Sequence, residues 1–148
     1  MAEGAGTQQD MPALGWAAVN RVGNREFGQT LDQVAHQPNQ FQSVQDNKGL
    51  WPQSAHPESF TGSNAQAWIQ AQATAQGILS GAIPDLTGGA TLFFSSGRYN
   101  PANAKTAPPT FQKMLSQTDI VPSPSYPSTP DKMSGTRNFF FVENPYRK

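Results

Sequence analysis

The chain has 148 residues, zero formal net charge at pH 7, 36% hydrophobic and 14% charged residues, and no cysteine. Neutrality, with a pI near 6.7, argues against nucleic acid as the main partner, because phosphate binding needs a basic surface, and it weakens electrostatic attachment to a membrane. The lack of cysteine excludes a disulfide framework and a thiolate metal site, and no stretch approaches the roughly 20 apolar residues of a membrane span.

Residues 1–148 read as one domain with one modest core, at a mean hydropathy of −0.57. Charge is well below the usual quarter of residues. Polarity comes instead from amides and hydroxyls, with 15 Gln, and the 13 Gly and 13 Pro imply long irregular stretches. Asn and Gln pair with hydroxyls and aromatic faces cover sugar rings, so this composition suits carbohydrate better than a phosphate backbone.

Residues 1–9 are small and polar, with neither the basic n-region nor the apolar h-region of a Sec signal. Residues 10–22 predict a helix. Asp10 is placed to cap it, Pro12 fits its first turn, and Leu14, Ala17, Ala18 and Arg21-Val22 recur at helical spacing before Gly23-Asn24. A shorter helix is predicted over 30–37, with Thr30 and Gln33 as a capping box and Pro38 as the stop. A polar loop follows to Gly62, holding Trp51-Pro52 and His56-Pro57.

The strongest helix signal is 64–80, with Ser63 as N-cap and Gly81 as terminator. Trp68, Ala71, Ala75, Ile78 and Leu79 mark its apolar face, and it is expected to be the central helix. Pro84 to Gly89 predicts a turn in which Asp85 makes an Asx-turn. Ala90 to Ser96 predicts a strand, 97–109 a loop and 110–117 a short helix. Residues 118–136, with Pro122, Pro124, Pro127 and Pro130, predict an extended surface segment. Asn138 to Glu143 predicts a second strand, able to pair with 91–95. The expected class is α+β, mainly helical, with a short antiparallel β-ribbon and long Pro/Gly-rich loops.

The residue types exclude several chemistries. His36 and His56 are the only histidines. Neither has a carboxylate or second His at ligand spacing, so no metal site is expected. No Ser-His-Asp order, dinucleotide fingerprint or P-loop is present, and no cofactor is implied.

Several ordered motifs remain. Glu3 precedes Gly4-Ala5-Gly6. Asn20-Arg21-Val22 closes the first helix, and Gln40-Phe41 follows. Asp85-x-Thr87-x-Gly89-Ala90-Thr91-x-Phe93-Phe94 comes after a helix holding Ala71, Ala75, Ile78-Leu79 and Gly81. Gly135-x-Arg137-x-Phe139-Phe140 lies near the end. Together these segments, 3–41, 71–94 and 135–140, resemble the cell wall hydrolase family that includes the spore cortex-lytic enzymes. The resemblance implies a lysozyme-like fold and a peptidoglycan-cleaving enzyme, with Glu3 as the catalytic acid. It further implies substrate contacts from Gln40, Thr91, Ser95, Arg137 and Phe140. Thr7 stands where the family has a second acidic residue, Arg137 where it has His, and only Met1 and Ala2 precede Glu3, where members have a helix.

Glycoside cleavage needs an acid for the departing oxygen and stabilisation of an oxocarbenium-like centre. A lytic transglycosylase manages with one carboxylate, because the sugar's own 6-hydroxyl closes an anhydro ring and the same glutamate gives and then takes a proton. Such a glutamate needs an apolar setting that raises its pKa; Trp16, Phe41, Phe93 and Phe139 are the candidates to supply it. Asp10, Glu26, Asp32, Glu58 and Asp85 form no convincing partner for Glu3. The partner expected on this reading is the peptidoglycan glycan strand, reached without a Sec signal in a phage particle, through a holin or by injection. The competing reading is a non-catalytic structural or interaction protein on a degenerate hydrolase scaffold, such as a phage virion component that packs against other assembly subunits.

Overall fold

The computed structural model describes residues 10–24, 26–38, 41, 52–95, 120–125 and 138–143, and of residues 94, 95, 138 and 139 the backbone alone. Among these the fold is α+β: helices α1 (Met11–Arg21), α2 (Leu31–His36) and α3 (Gly62–Leu79), and strands β1 (Leu92–Ser95), β2 (Ile120–Pro122) and β3 (Asn138–Glu143). The expected helix at 110–117 and loop at 97–109 lie outside the described residues.

The sheet is antiparallel with the order β1-β3-β2. Leu92 pairs with Phe141 and Ser95 with Asn138, the ribbon expected from sequence. On the other side of β3, Ile120 pairs with Glu143 and Pro122 with Phe141. This third strand corrects the reading of 118–136 as surface throughout, since Ile120 and Ser123 are buried. Proline count hid it. Pro122 is tolerated because it ends an edge strand, where a missing N–H breaks no central ladder. Successive side chains of a strand point to opposite faces, yet Phe140 and Phe141 are both fully buried. Both faces of β3 are therefore covered, which explains an uninterrupted aromatic run in place of alternation.

The central helix is α1, not α3. Met11, Ala13, Leu14, Ala17 and Arg21 are buried along it. Ala13, Leu14 and Ala17 pack with Ala90 and Phe140 into the core, flanked by Phe93 and Val142. Small alanines let the helix approach the sheet closely, and burying a side chain of Phe140's size stabilises the fold by about 1.5–3 kcal/mol. By contrast α3 buries only Thr74 and Ile78. Leu79, expected on its inward face, is 69% exposed, and Trp68 is half-buried against the Phe60 ring at 5.5 Å.

Asp10 stands at the N-cap of α1 but has helical φ −84 and ψ −9 and makes no capping bond through its side chain; that backbone does not aim a carboxylate at the first-turn amides. Thr30 does cap α2, accepting from Gln33 N. Gln33 reaches back to Gln29 N at 2.7 Å, one residue short of the expected box. Helix α3 starts after Thr61, not Ser63. Its end is as expected. Gly81 has φ +80, which a side chain would strain; its N–H bonds Ile78 O, and Ile83 N–H bonds Gly77 O. The polar loop before α3 contains two single 3₁₀ turns, Pro52–Ala55 and Pro57–Ser59.

Candidate functional site

The C-terminal turn of α1 meets the turn that leads into β1, and this junction joins two of the sequence motifs. Asn20 Nδ2 donates to Asp85 Oδ2 at 2.9 Å and to Ala90 O at 3.1 Å. Asn20, at the end of α1, thus ties this helix to residues far along the chain. Asp85 makes the expected Asx-turn: Oδ1 accepts from Thr87 N at 2.8 Å and Thr87 Oγ1 at 2.6 Å, and Oδ2 accepts from Gly89 N at 2.9 Å. Burial pushes the Asp85 carboxyl up, but hydrogen bonds from Thr87, Asn20 and Gly89 together outweigh it and hold its pKa below the ordinary value. Thr87 Oγ1 accepts from Ala90 N, and Ser123 Oγ donates to Thr87 O, so the end of β2 is fastened to the same turn.

Beside Asn20, Arg21 enters the protein. It is only 3% exposed, and Nε donates to Thr91 O at 2.6 Å. The guanidinium carbon lies 4.9 Å from the Phe27 ring centroid, 5.1 Å from that of Phe41 and 5.6 Å from that of Phe93. Aromatic faces attract a cation and partly replace its lost hydration. The replacement is incomplete, because burial lowers the Arg21 pKa to about 10, a value at which it stays charged near neutrality. Arg21 Nη1 and Thr91 Oγ1 are both buried without a hydrogen-bond partner.

Thr91 therefore lies at this junction, 7% exposed, whereas Phe140, expected as a substrate contact, is fully buried in the core with Ala13, Leu14, Ala17 and Ala90. Ser95 ends β1, with its backbone alone described. Glu3, Gln40 and Arg137 lie outside the described residues, as does Trp51. Of the four aromatics expected to line an acid, Phe41 and Phe93 come together, with ring centroids 6.2 Å apart. Trp16 donates from Nε1 to Ile83 O, on the side of α1 that faces the end of α3, and the Phe139 side chain lies outside the description.

The chain belongs to the cell wall hydrolase family.

The family's model, described as Cell Wall Hydrolase, matches residues 6–117, more than half of the chain. The match includes the Asn20-Arg21 and Asp85–Thr91 segments that the fold joins. Glu3 lies just before it, and Arg137 and Phe140 lie after it. No curated protein and no solved structure matches the chain significantly. Among the described residues of this cell wall hydrolase, no helix is long and apolar enough to cross a membrane. No group of three or more His, Asp or Glu there could hold a metal ion.

Sequence reasoning named Arg21 in the Asn20-Arg21-Val22 motif but gave it no role of its own. It counted as one more position on an apolar stripe, although a charge seven residues after Leu14, on a face that is otherwise Leu and Ala, is itself a signal. It also missed the histidines' partners: His36 Nδ1 lies 3.3 Å from Asp32 Oδ1 and His56 Nδ1 3.2 Å from Glu58 Oε1. Both pairs are well exposed, and such pairs contribute little.

Proposed function

We propose that this cell wall hydrolase cleaves the glycan strands of peptidoglycan on a lysozyme-like fold, as a lytic transglycosylase or muramidase, with Glu3 as its single general acid and base. The family match over residues 6–117 carries the reading. The junction of α1 with the Asp85–Thr91 turn supports it, because the two motifs that resemble the family are in direct hydrogen-bond contact.

In the transglycosylase route Glu3 protonates the glycosidic oxygen as the bond to the anomeric carbon breaks. The 6-hydroxyl of the same sugar then closes on that carbon and returns its proton to the carboxylate, leaving a 1,6-anhydro end. In the muramidase route water takes the place of the hydroxyl and leaves a reducing end. Gln40, Thr91, Ser95 and Arg137 hold the strand.

The test is mass spectrometry of the products from purified wall. Sugar-terminated fragments with anhydro or reducing ends are expected, and the end type chooses between the routes. Release of peptides alone, with intact glycan, overturns the proposal. A second reading, an assembly protein on a hydrolase scaffold, draws on Ile69 and Leu79, which are 66% and 69% exposed on α3. A monomeric chain with robust wall cleavage rules it out.

A further inference from the structure

The junction of α1 and β1 holds two buried donors with nothing to donate to. Arg21 and Thr91 are 3% and 7% exposed, and Nη1 of one and Oγ1 of the other have no partner. The two residues adjoin, since Arg21 Nε donates to the Thr91 main-chain carbonyl at 2.6 Å. Burying a charged donor without an acceptor is among the costlier arrangements in a fold, so such groups call for an explanation. The ion pairs among the described residues are His36–Asp32 and His56–Glu58, and Arg21 is in neither.

The cage also decides what could complete it. Phe27, Phe41 and Phe93 lie about the guanidinium, so an acceptor must approach in the plane of the N–H fork. Two donors, one of them part of a planar cation, match two oxygens of one planar anion. We infer that Arg21 Nη1 and Thr91 Oγ1 form a binding subsite for a carboxylate, and that in the wall this carboxylate belongs to a stem peptide of peptidoglycan. The second half rests on the function proposed above. The subsite recognises the peptide side of the polymer, apart from the sugar bond that is cut.

Two experiments on the full chain separate the halves. In the first, the Arg21 Nε resonance is followed by NMR during titration with sodium acetate, with acetamide and sodium chloride in parallel. A saturable shift with acetate alone is expected. It weakens about ten- to a hundred-fold in Thr91→Val, the loss of one hydrogen bond to a charged group, and returns in Thr91→Ser. No shift with acetate, or the same shift with acetamide, overturns the subsite and leaves water on the two donors. In the second, cleavage is measured on wall whose stem carboxylates have been converted to methylamides. KM rises and kcat stays unchanged relative to untreated wall, a difference that Thr91→Val loses. Equal KM on both walls overturns the assignment to stem peptides. If neither wall is cut, the proposed function falls, and the acetate titration alone decides the subsite.

Discussion

Arg21 is a residue whose stability and use pull in opposite directions. Its Nε bond to Thr91 O is a charge-assisted bond of about 1.5–3 kcal/mol, but taking an unpaired cation out of water costs several kcal/mol. Arg21→Met keeps the volume and removes the charge. Denaturant unfolding is expected to show it within about 1 kcal/mol of the wild type, or more stable, while acetate binding at this place is lost. A loss beyond about 3 kcal/mol would make Arg21 a structural clamp instead.

Asp85 gives the pH dependence at the same scale. Its folded pKa lies below the ordinary 3.8. A depressed carboxyl contributes stability that is present above the unfolded value and is lost as pH falls through the folded one. The urea midpoint is therefore expected to drop from about pH 4 downward, and less steeply in Asp85→Asn. Equal slopes in the two proteins contradict the network. The Asx-turn at Asp85 was legible in sequence because its bonds are local. The tie from Asn20 to Asp85 and Ala90 was not, because it joins residues 65 and 70 positions apart.

Among the elements, helices α1 and α3 meet where side chains are missing. A Cβ on Gly15 would lie 2.6 Å from Ile78 Cδ1, and one on Gly77 would lie 2.5 Å from Ile83 Cδ1 and 2.7 Å from its Cγ1. At Gly15 only the tip of a side chain has to move. At Gly77 two atoms of Ile83 must move, and Ile83 is held through its N–H to Gly77 O and its carbonyl to Trp16 Nε1. Helix propensity favours Gly→Ala by about 1 kcal/mol, and overpacking opposes it by about 1–3. Gly77→Ala is expected to lower unfolding stability by about 1 kcal/mol, whereas Gly15→Ala is near neutral. A more stable Gly77→Ala protein contradicts this packing. Helix positions and the β1–β3 pairing were legible from periodicity and from two apolar runs. Strand β2 was not, because three residues ending in proline carry almost no periodic signal. The ranking of helices failed too, because the length of α3 says nothing about which face is covered.

At the scale of the molecule, the described residues form a core helix between a three-stranded sheet and two further helices, with family motifs gathered where α1 meets β1. Membership of the cell wall hydrolase family was legible from motif order, and the match over residues 6–117 bears it out. Of the candidate contacts, Thr91 is at the junction and Phe140 in its supporting core. The burial of Arg21, which ties Thr91 to α1, was signalled only by a charge on an otherwise apolar helix face. The central claim is cleavage of glycan strands by a single carboxylate, and Glu3→Gln on a cell wall zymogram tests it most directly. Glutamine keeps the shape and removes the transferable proton, so clearing is expected to fall by about two to four orders of magnitude. Equal clearing by the two proteins would contradict the assignment of Glu3.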